Sequence, residues 1–207
     1  MEHNMADKKN RKKDKKRRRV FFLAAGIAVF LVLFGALGVY VFDSINFVFR
    51  GMSRIIPYPA MMINSRMCLY SEYADNIITM KKFVESQDTL VASEEEIRQR
   101  VAERLVANKV LEQMARDRGI KVFDYEIEKE FEQAIQGLGV EDEIEKNIKK
   151  LFGWNIDEYK TNVVQPFVLQ KKLTQAIYDD DEDAGQKFSQ YLEQEITTAR
   201  VLYFVPH

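Results

Sequence analysis

Few residues in this chain are of a type that does chemistry. The two histidines, His3 and His207, lie at its two ends, and the one cysteine, Cys68, sits in "MMINSRMCLYSEY" between two short apolar runs and a serine. A cysteine or serine nucleophile needs a base within hydrogen-bond reach, and a reactive thiolate needs a cationic neighbour. With no histidine inside the expected core, Ser-His, Cys-His and histidine-based metal sites are all but excluded there. A lone cysteine makes no intrachain disulfide. Cys68 therefore reads as a small buried hydrophobe at an inward strand position.

Acidic residues are plentiful, but their spacing fits structure better than catalysis. In "DDDED", Asp179 to Asp183, an EF-hand loop starting at Asp179 would need Gly at its sixth position and Glu at its twelfth, where Ala184 and Gln190 stand. The run reads as a solvated linker that caps the helix after it. Glu94 to Glu96 and Glu141 to Glu143 fall at helix starts, where carboxylates complement the helix dipole. "GLG", Gly137 to Gly139, lacks the strand and the further glycines of a phosphate loop. The residues thus call for no catalytic group, no metal and no cofactor.

What must be positioned is apolar surface, and the charge pattern says where. Residues 1 to 19 carry ten Lys/Arg against Glu2, Asp7 and Asp14, whereas residues 43 to 207 carry 21 Lys/Arg against 29 Asp/Glu. Between them "VFFLAAGIAVFLVLFGALGVYVF", Val20 to Phe42, runs 23 residues without a charge. As a helix it would be about 34 Å long, enough to cross a bilayer core. The basic run "KKNRKKDKKRRR" beside it places the N-terminus in the cytoplasm by the positive-inside rule and leaves everything after Phe42 outside. Attraction to anionic lipid explains this tail more simply than nucleic-acid binding. A cleaved leader ending near Ala36 and Gly38 is the competing reading, and the length of the apolar run favours an uncleaved anchor.

Residues 43 to 58 form a juxtamembrane linker closed by "PYP", and the exported domain is expected over 59 to 207. Met61 to Ile63 and Arg66 to Cys68 suggest a hairpin turning at Asn64-Ser65. Ser71 is positioned to cap a helix from Glu72 to about Ser86, with Tyr73, Ile77, Met80 and Val84 at helical spacing. Ser93 and Glu96 form a capping box for a long helix that Gly119 stops. Asp124 is expected to cap the next helix, through Phe131 and Ile135. Glu141 to about Phe152 reads as another, stopped at Gly153. Asn155 with Glu158 caps a helix to about Tyr178, with Ile156, Tyr159, Val163, Phe167 and Ile177 on one face and a kink expected at Pro166. Thr197 to Val205 is the one long strand signal. The fold class is mostly α, with a small antiparallel sheet made by the N-terminal hairpin and the C-terminal strand.

This order, and above all Ala115, Gly119, Ile120, Val122, Asp124, Glu126 and Ile127, resembles the N-terminal chaperone domain of the SurA family. That domain is shared in outline with foldases of the PrsA and PpiD kind and with the chaperone part of trigger factor. The resemblance covers roughly Pro59 to Val205 and leaves no room for a parvulin module. It implies a single-pass protein of a bacterial cytoplasmic membrane whose extracytoplasmic domain holds unfolded or newly exported polypeptides without catalysis. A membrane-tethered adaptor for one dedicated envelope or secretion partner is the alternative from another class, and an isomerase relative lacking its catalytic module is a third. Flexible and aromatic side chains repack around many sequences, so Met80, Phe83, Phe131, Leu138, Phe152 and Trp154 are the candidate polypeptide contacts. Ordinary core is the competing role for each.

Overall fold

A computed structural model describes residues 29–40, 47–87, 90–136, 141–179 and 181–205. The chain divides into two units, Met1–Tyr58 and Pro59–His207. In the first, residues 29–40 form α1 and Phe47–Ile55 form α2. The Tyr58 hydroxyl donates to the carbonyl of Val32 at 2.9 Å. Among the described residues no helix is long and apolar enough to cross a membrane. The expected span is described only from residue 29 to residue 40; residues 20–28 and 41–42, and the basic tail, lie outside the described residues.

The second unit begins with the hairpin, β1 (Pro59–Ile63) and β2 (Arg66–Leu69). Asn64 takes the left-handed conformation that the turn requires, at φ 52°. β3 (Val201–Tyr203) adds antiparallel to β1, so the order is β2-β1-β3 and the two ends of the domain meet in one sheet. The Asn64 amide is central to that junction. Its N–H donates to the carbonyl of Arg200 at 2.8 Å, and its side-chain oxygen accepts from the Arg200 N–H at 3.0 Å.

β3 is shorter than the strand expected from Thr197 onward. Thr197 and Thr198 instead finish a helix, where their hydroxyls bond back to the carbonyls of Glu193 (2.8 Å) and Gln194 (3.0 Å). Such back-bonding occupies the polar side chain that would otherwise compete with the helix.

α3 (Tyr70–Glu85) follows β2 without a break. The expected cap at Ser71 is not made: Leu69 holds the N-cap position with no side-chain bond, and Ser71 falls in the first turn. Full burial of Tyr70 and Tyr73 starts the helix where the strand ends. α4 (Glu94–Asp117) opens on the Ser93–Glu96 box, with the Ser93 N–H donating to Glu96 at 2.7 Å. It closes at Gly119, φ 67°, with the Ile120 N–H on the carbonyl of Ala115 at 2.8 Å and the Gly119 N–H on that of Arg116 at 3.0 Å. This pair of bonds is the Schellman arrangement, which favours a residue without Cβ at the left-handed position. α4 packs against α3 and against two later helices, α8 (Gln165–Tyr178) and α9 (Ala184–Thr198).

α5 (Asp124–Ile135) corrects a second cap. Phe123 holds the N-cap position, its N–H donating to Glu126 Oε2 at 2.9 Å, and Asp124 is the first helical residue. A carboxylate one position further in still meets the positive end of the dipole. α6 (Glu141–Phe152) ends at Gly153, φ 78°.

The segment from Asn155 to Tyr178 departs furthest from its expected form. It comprises α7 (Ile156–Tyr159), a π-helical turn (Lys160–Val164) and α8 (Gln165–Tyr178). Pro166 cannot donate to the carbonyl one turn back, and the preceding residue bonds five back instead, Gln165 N–H to Lys160 O. The extra residue in that turn shifts the helix phase by about one residue. Tyr159 remains half-buried, but after the turn Val164 and Val168 are buried, while Val163 and Phe167 are 36% and 54% exposed. The expected apolar face is therefore corrected by one position at Val163 and Phe167, while Ile177 is half-buried. α9 (Ala184–Thr198) completes the unit, with Phe188 fully buried.

Candidate functional site

Met61, Ile63, Tyr70, Tyr73, Ile77, Leu105, Leu173 and Phe188 are fully buried in the second unit, drawn from β1, α3, α4, α8 and α9. A smaller cluster is built on Phe131, Ile144, Ile148, Val164 and Val168.

Four of the six residues expected to meet a polypeptide converge on the smaller cluster. Phe83 of α3 stacks on Phe152 at 5.6 Å between ring centres, and Phe152 stacks on Trp154 at 5.3 Å. Tyr159 links Phe152 (5.9 Å) to Phe131 (6.3 Å, edge-on). Offset and edge-on geometries of this kind are the favourable ones for aromatic pairs. Lys160 places its ammonium 4.7 Å from the centre of the Phe131 ring. Phe131 itself is only 2% exposed and serves as core. Phe83, Phe152 and Trp154 are half-buried and form the rim of the cluster. Met80 is half-buried on α3, one turn before Phe83. Leu138 lies outside the described residues.

A second apolar surface had no counterpart among those residues. In the sheet Met67, Met62 and Leu202 stand side by side, because Met62 is paired with both of the others. They face away from the buried Met61, Ile63 and Cys68 by the two-residue alternation of a strand. Phe204 continues the same face, tied by its N–H to the carbonyl of Ala60 at 2.9 Å. Met67 is 49% exposed, and Leu202 and Phe204 are each 44% exposed. The signal that could have located this strip was the paired methionines, Met61-Met62 and Met67, read for both faces of the hairpin.

Cys68 lies on the buried face. Its Sγ donates to Glu72 Oε2 at 3.5 Å, and Glu72 is held by Lys109 at 3.0 Å. Burial pushes the thiol well above its usual range, and the charge of Glu72 adds to the effect. Burial draws the Lys109 ammonium downward, but Glu72 and Glu112 outweigh it and its affinity for the proton rises. Cys68 is thus a protonated thiol beside an ion pair, the reverse of an activated nucleophile. In the acidic linker, Asp181 accepts from the Asp183 N–H at 2.9 Å and pairs with Lys187. Among the described residues no cluster of His, Cys, Asp and Glu could hold a metal ion.

The family model described as the SurA N-terminal domain matches residues 59–171, more than half of the chain. The chain belongs to the SurA N-terminal domain family. The match begins at the first residue of β1 and ends within α8, so α9 and β3 lie beyond it. No curated protein matches the chain. The family's domain is non-catalytic and of chaperone type, and polypeptide is the class of substrate it takes.

Proposed function

We propose that this protein is a membrane-anchored, extracytoplasmic chaperone that holds unfolded or newly exported polypeptides without isomerase activity. The observation that carries this reading is the open strip of Met67, Met62, Leu202 and Phe204 on a domain of chaperone type. Methionine and aromatic side chains bind varied apolar segments because they repack at little cost. Phe83, Phe152 and Trp154 extend the apolar surface at the rim of the smaller cluster. The uncharged run Val20 to Phe42 and the basic tail support an anchor in a bacterial cytoplasmic membrane, with the N-terminus in the cytoplasm.

The full chain in lipid nanodiscs, at a one-to-one ratio with a denatured client, is expected to slow aggregation followed by light scattering. Empty nanodiscs are the control. Unchanged aggregation across several unrelated clients would defeat the proposal, and protection of one client alone would favour a dedicated adaptor.

A further inference from the structure

A cleft of about 270 Å³ lies between α3, α4 and the π-turn that leads into α8. Its charged groups are paired with one another. Lys109 reaches Glu72 at 3.0 Å and Glu112 at 3.5 Å, and both carboxylates line the cleft. Two carboxylates and no lysine or arginine are among the residues that line it, so phosphate and carboxylate ligands are disfavoured.

The neutral polar groups are in a different state. Asn76 is spent within the protein, its amide N–H donating to the carbonyl of Glu72 at 2.7 Å and its oxygen accepting from Arg104. Asn162 donates to the carbonyl of Glu158 at 2.7 Å, which leaves its side-chain oxygen open. Thr161 donates to the carbonyl of Asp157 at 2.9 Å and likewise keeps an acceptor. Asn108 of α4 and Gln165 of α8 line the cleft from its two walls, and among the described residues neither side chain has a hydrogen-bond partner. Two whole amides and two further acceptors thus meet apolar walls supplied by Leu105, Leu111, Pro166 and Leu169.

A primary amide carries an acceptor and a donor side by side, which is the complement of the C=O and N–H of an extended peptide unit. The π-turn matters here because its extra residue lets Thr161, Asn162 and Gln165 line the cleft while Val164 and Val168 enter the core. π-turns recur at functional sites for this kind of local re-aiming.

We propose that this cleft binds the main chain of a client, with Asn108 and Gln165 pairing with its peptide groups and the leucines and Pro166 excluding water around them. The proposal rests on the polypeptide-binding reading and adds to it a site that does not depend on client sequence. At about 3.3 Å per extended residue, a cleft of this volume takes a few residues of chain and no folded ligand. The strip on the sheet would then select apolar segments, and the cleft would hold whatever backbone accompanies them.

The test is fluorescence anisotropy of a labelled apolar-rich peptide with the full chain in nanodiscs. Asn108→Ala with Gln165→Ala should weaken binding about ten-fold, as expected for two lost hydrogen bonds. A scrambled peptide should bind within about two-fold of the original, since backbone geometry is unchanged. A version of the peptide N-methylated at alternate residues should bind the unaltered protein about ten-fold more weakly and lose little further on the double variant. That comparison on the unaltered protein stands even if the double variant fails to fold. Equal binding of the native and N-methylated peptides, with the double variant binding as the unaltered protein does, would overturn the site while leaving the chaperone reading intact. Absence of peptide binding by the unaltered protein would overturn both.

Discussion

The two faces of the sheet are made by alternate residues of the same short strands, yet they differ in every physical respect. Met61, Ile63 and Cys68 have no exposed surface, whereas Met67 and Leu202, one position away from them in pairing, are nearly half open. A one-residue slip in β1 would exchange the two sets, so register alone separates the part of the hairpin that builds the fold from the part that can meet a partner. Stability and binding should therefore be separable here by single substitutions at adjacent positions.

The largest contrast is expected between Met61 and Met62. Met61→Ala removes a fully buried side chain and should destabilise the domain by about 2–5 kcal/mol, from lost burial and the cavity left behind. Met62→Ala, on the half-open face, should cost well under half as much. Urea unfolding of both variants measures the difference. Equal losses would mean that the outer face is covered by something the domain itself supplies.

Cys68 sharpens the same comparison chemically. Because burial, and then Glu72, raises its proton affinity in the folded state, the folded protein keeps a proton that the unfolded chain releases above about pH 8.5. Its contribution to stability is complete below that pH and is lost as pH rises further. N-ethylmaleimide at pH 8 should label the folded protein about a hundred-fold more slowly than the urea-unfolded chain. Comparable rates would show that the inner face opens readily and is not the sealed side of the sheet.

How much of this was legible in the sequence follows how local each determinant is. The Ser93–Glu96 and Asn155–Glu158 boxes and the stop at Gly119 depend on a few consecutive residues, and all stand as read. The caps expected at Ser71 and Asp124 were displaced by one or two residues, because burial of Tyr70 and the reach of Glu126 to Phe123 decided where the helices begin. The π-turn was not legible. Pro166 announces a missing bond, but only the packing of Val164 and Val168 into the smaller cluster selects a wider turn as the way to accommodate it. The convergence of Phe83, Phe131, Phe152 and Trp154 was anticipated as a set of residue types, but their division into core and rim depends on long-range packing that no spacing records. The outer strip was missed because strands of four or five residues carry too few alternations to say which face is open.

The smallest expected change in stability carries the most functional information. Met67→Ser combined with Phe204→Ser acts on side chains that are 49% and 44% exposed, so unfolding should shift by only about 0.5 kcal/mol or less per site. Neither residue lines the cleft between α3, α4 and α8. If the strip receives apolar client segments, the same double variant should lose several-fold in binding an apolar-rich peptide, because each serine removes apolar surface from the contact. Binding of a peptide with its apolar residues replaced by glycine and serine should be weak to begin with and insensitive to this change. A variant that is less stable and binds unchanged would reverse the assignment of the two faces, making the outer strip part of the fold. A variant of unchanged stability that also binds unchanged would move client recognition to the rim of Phe83, Phe152 and Trp154, where Trp154→Ala becomes the deciding substitution.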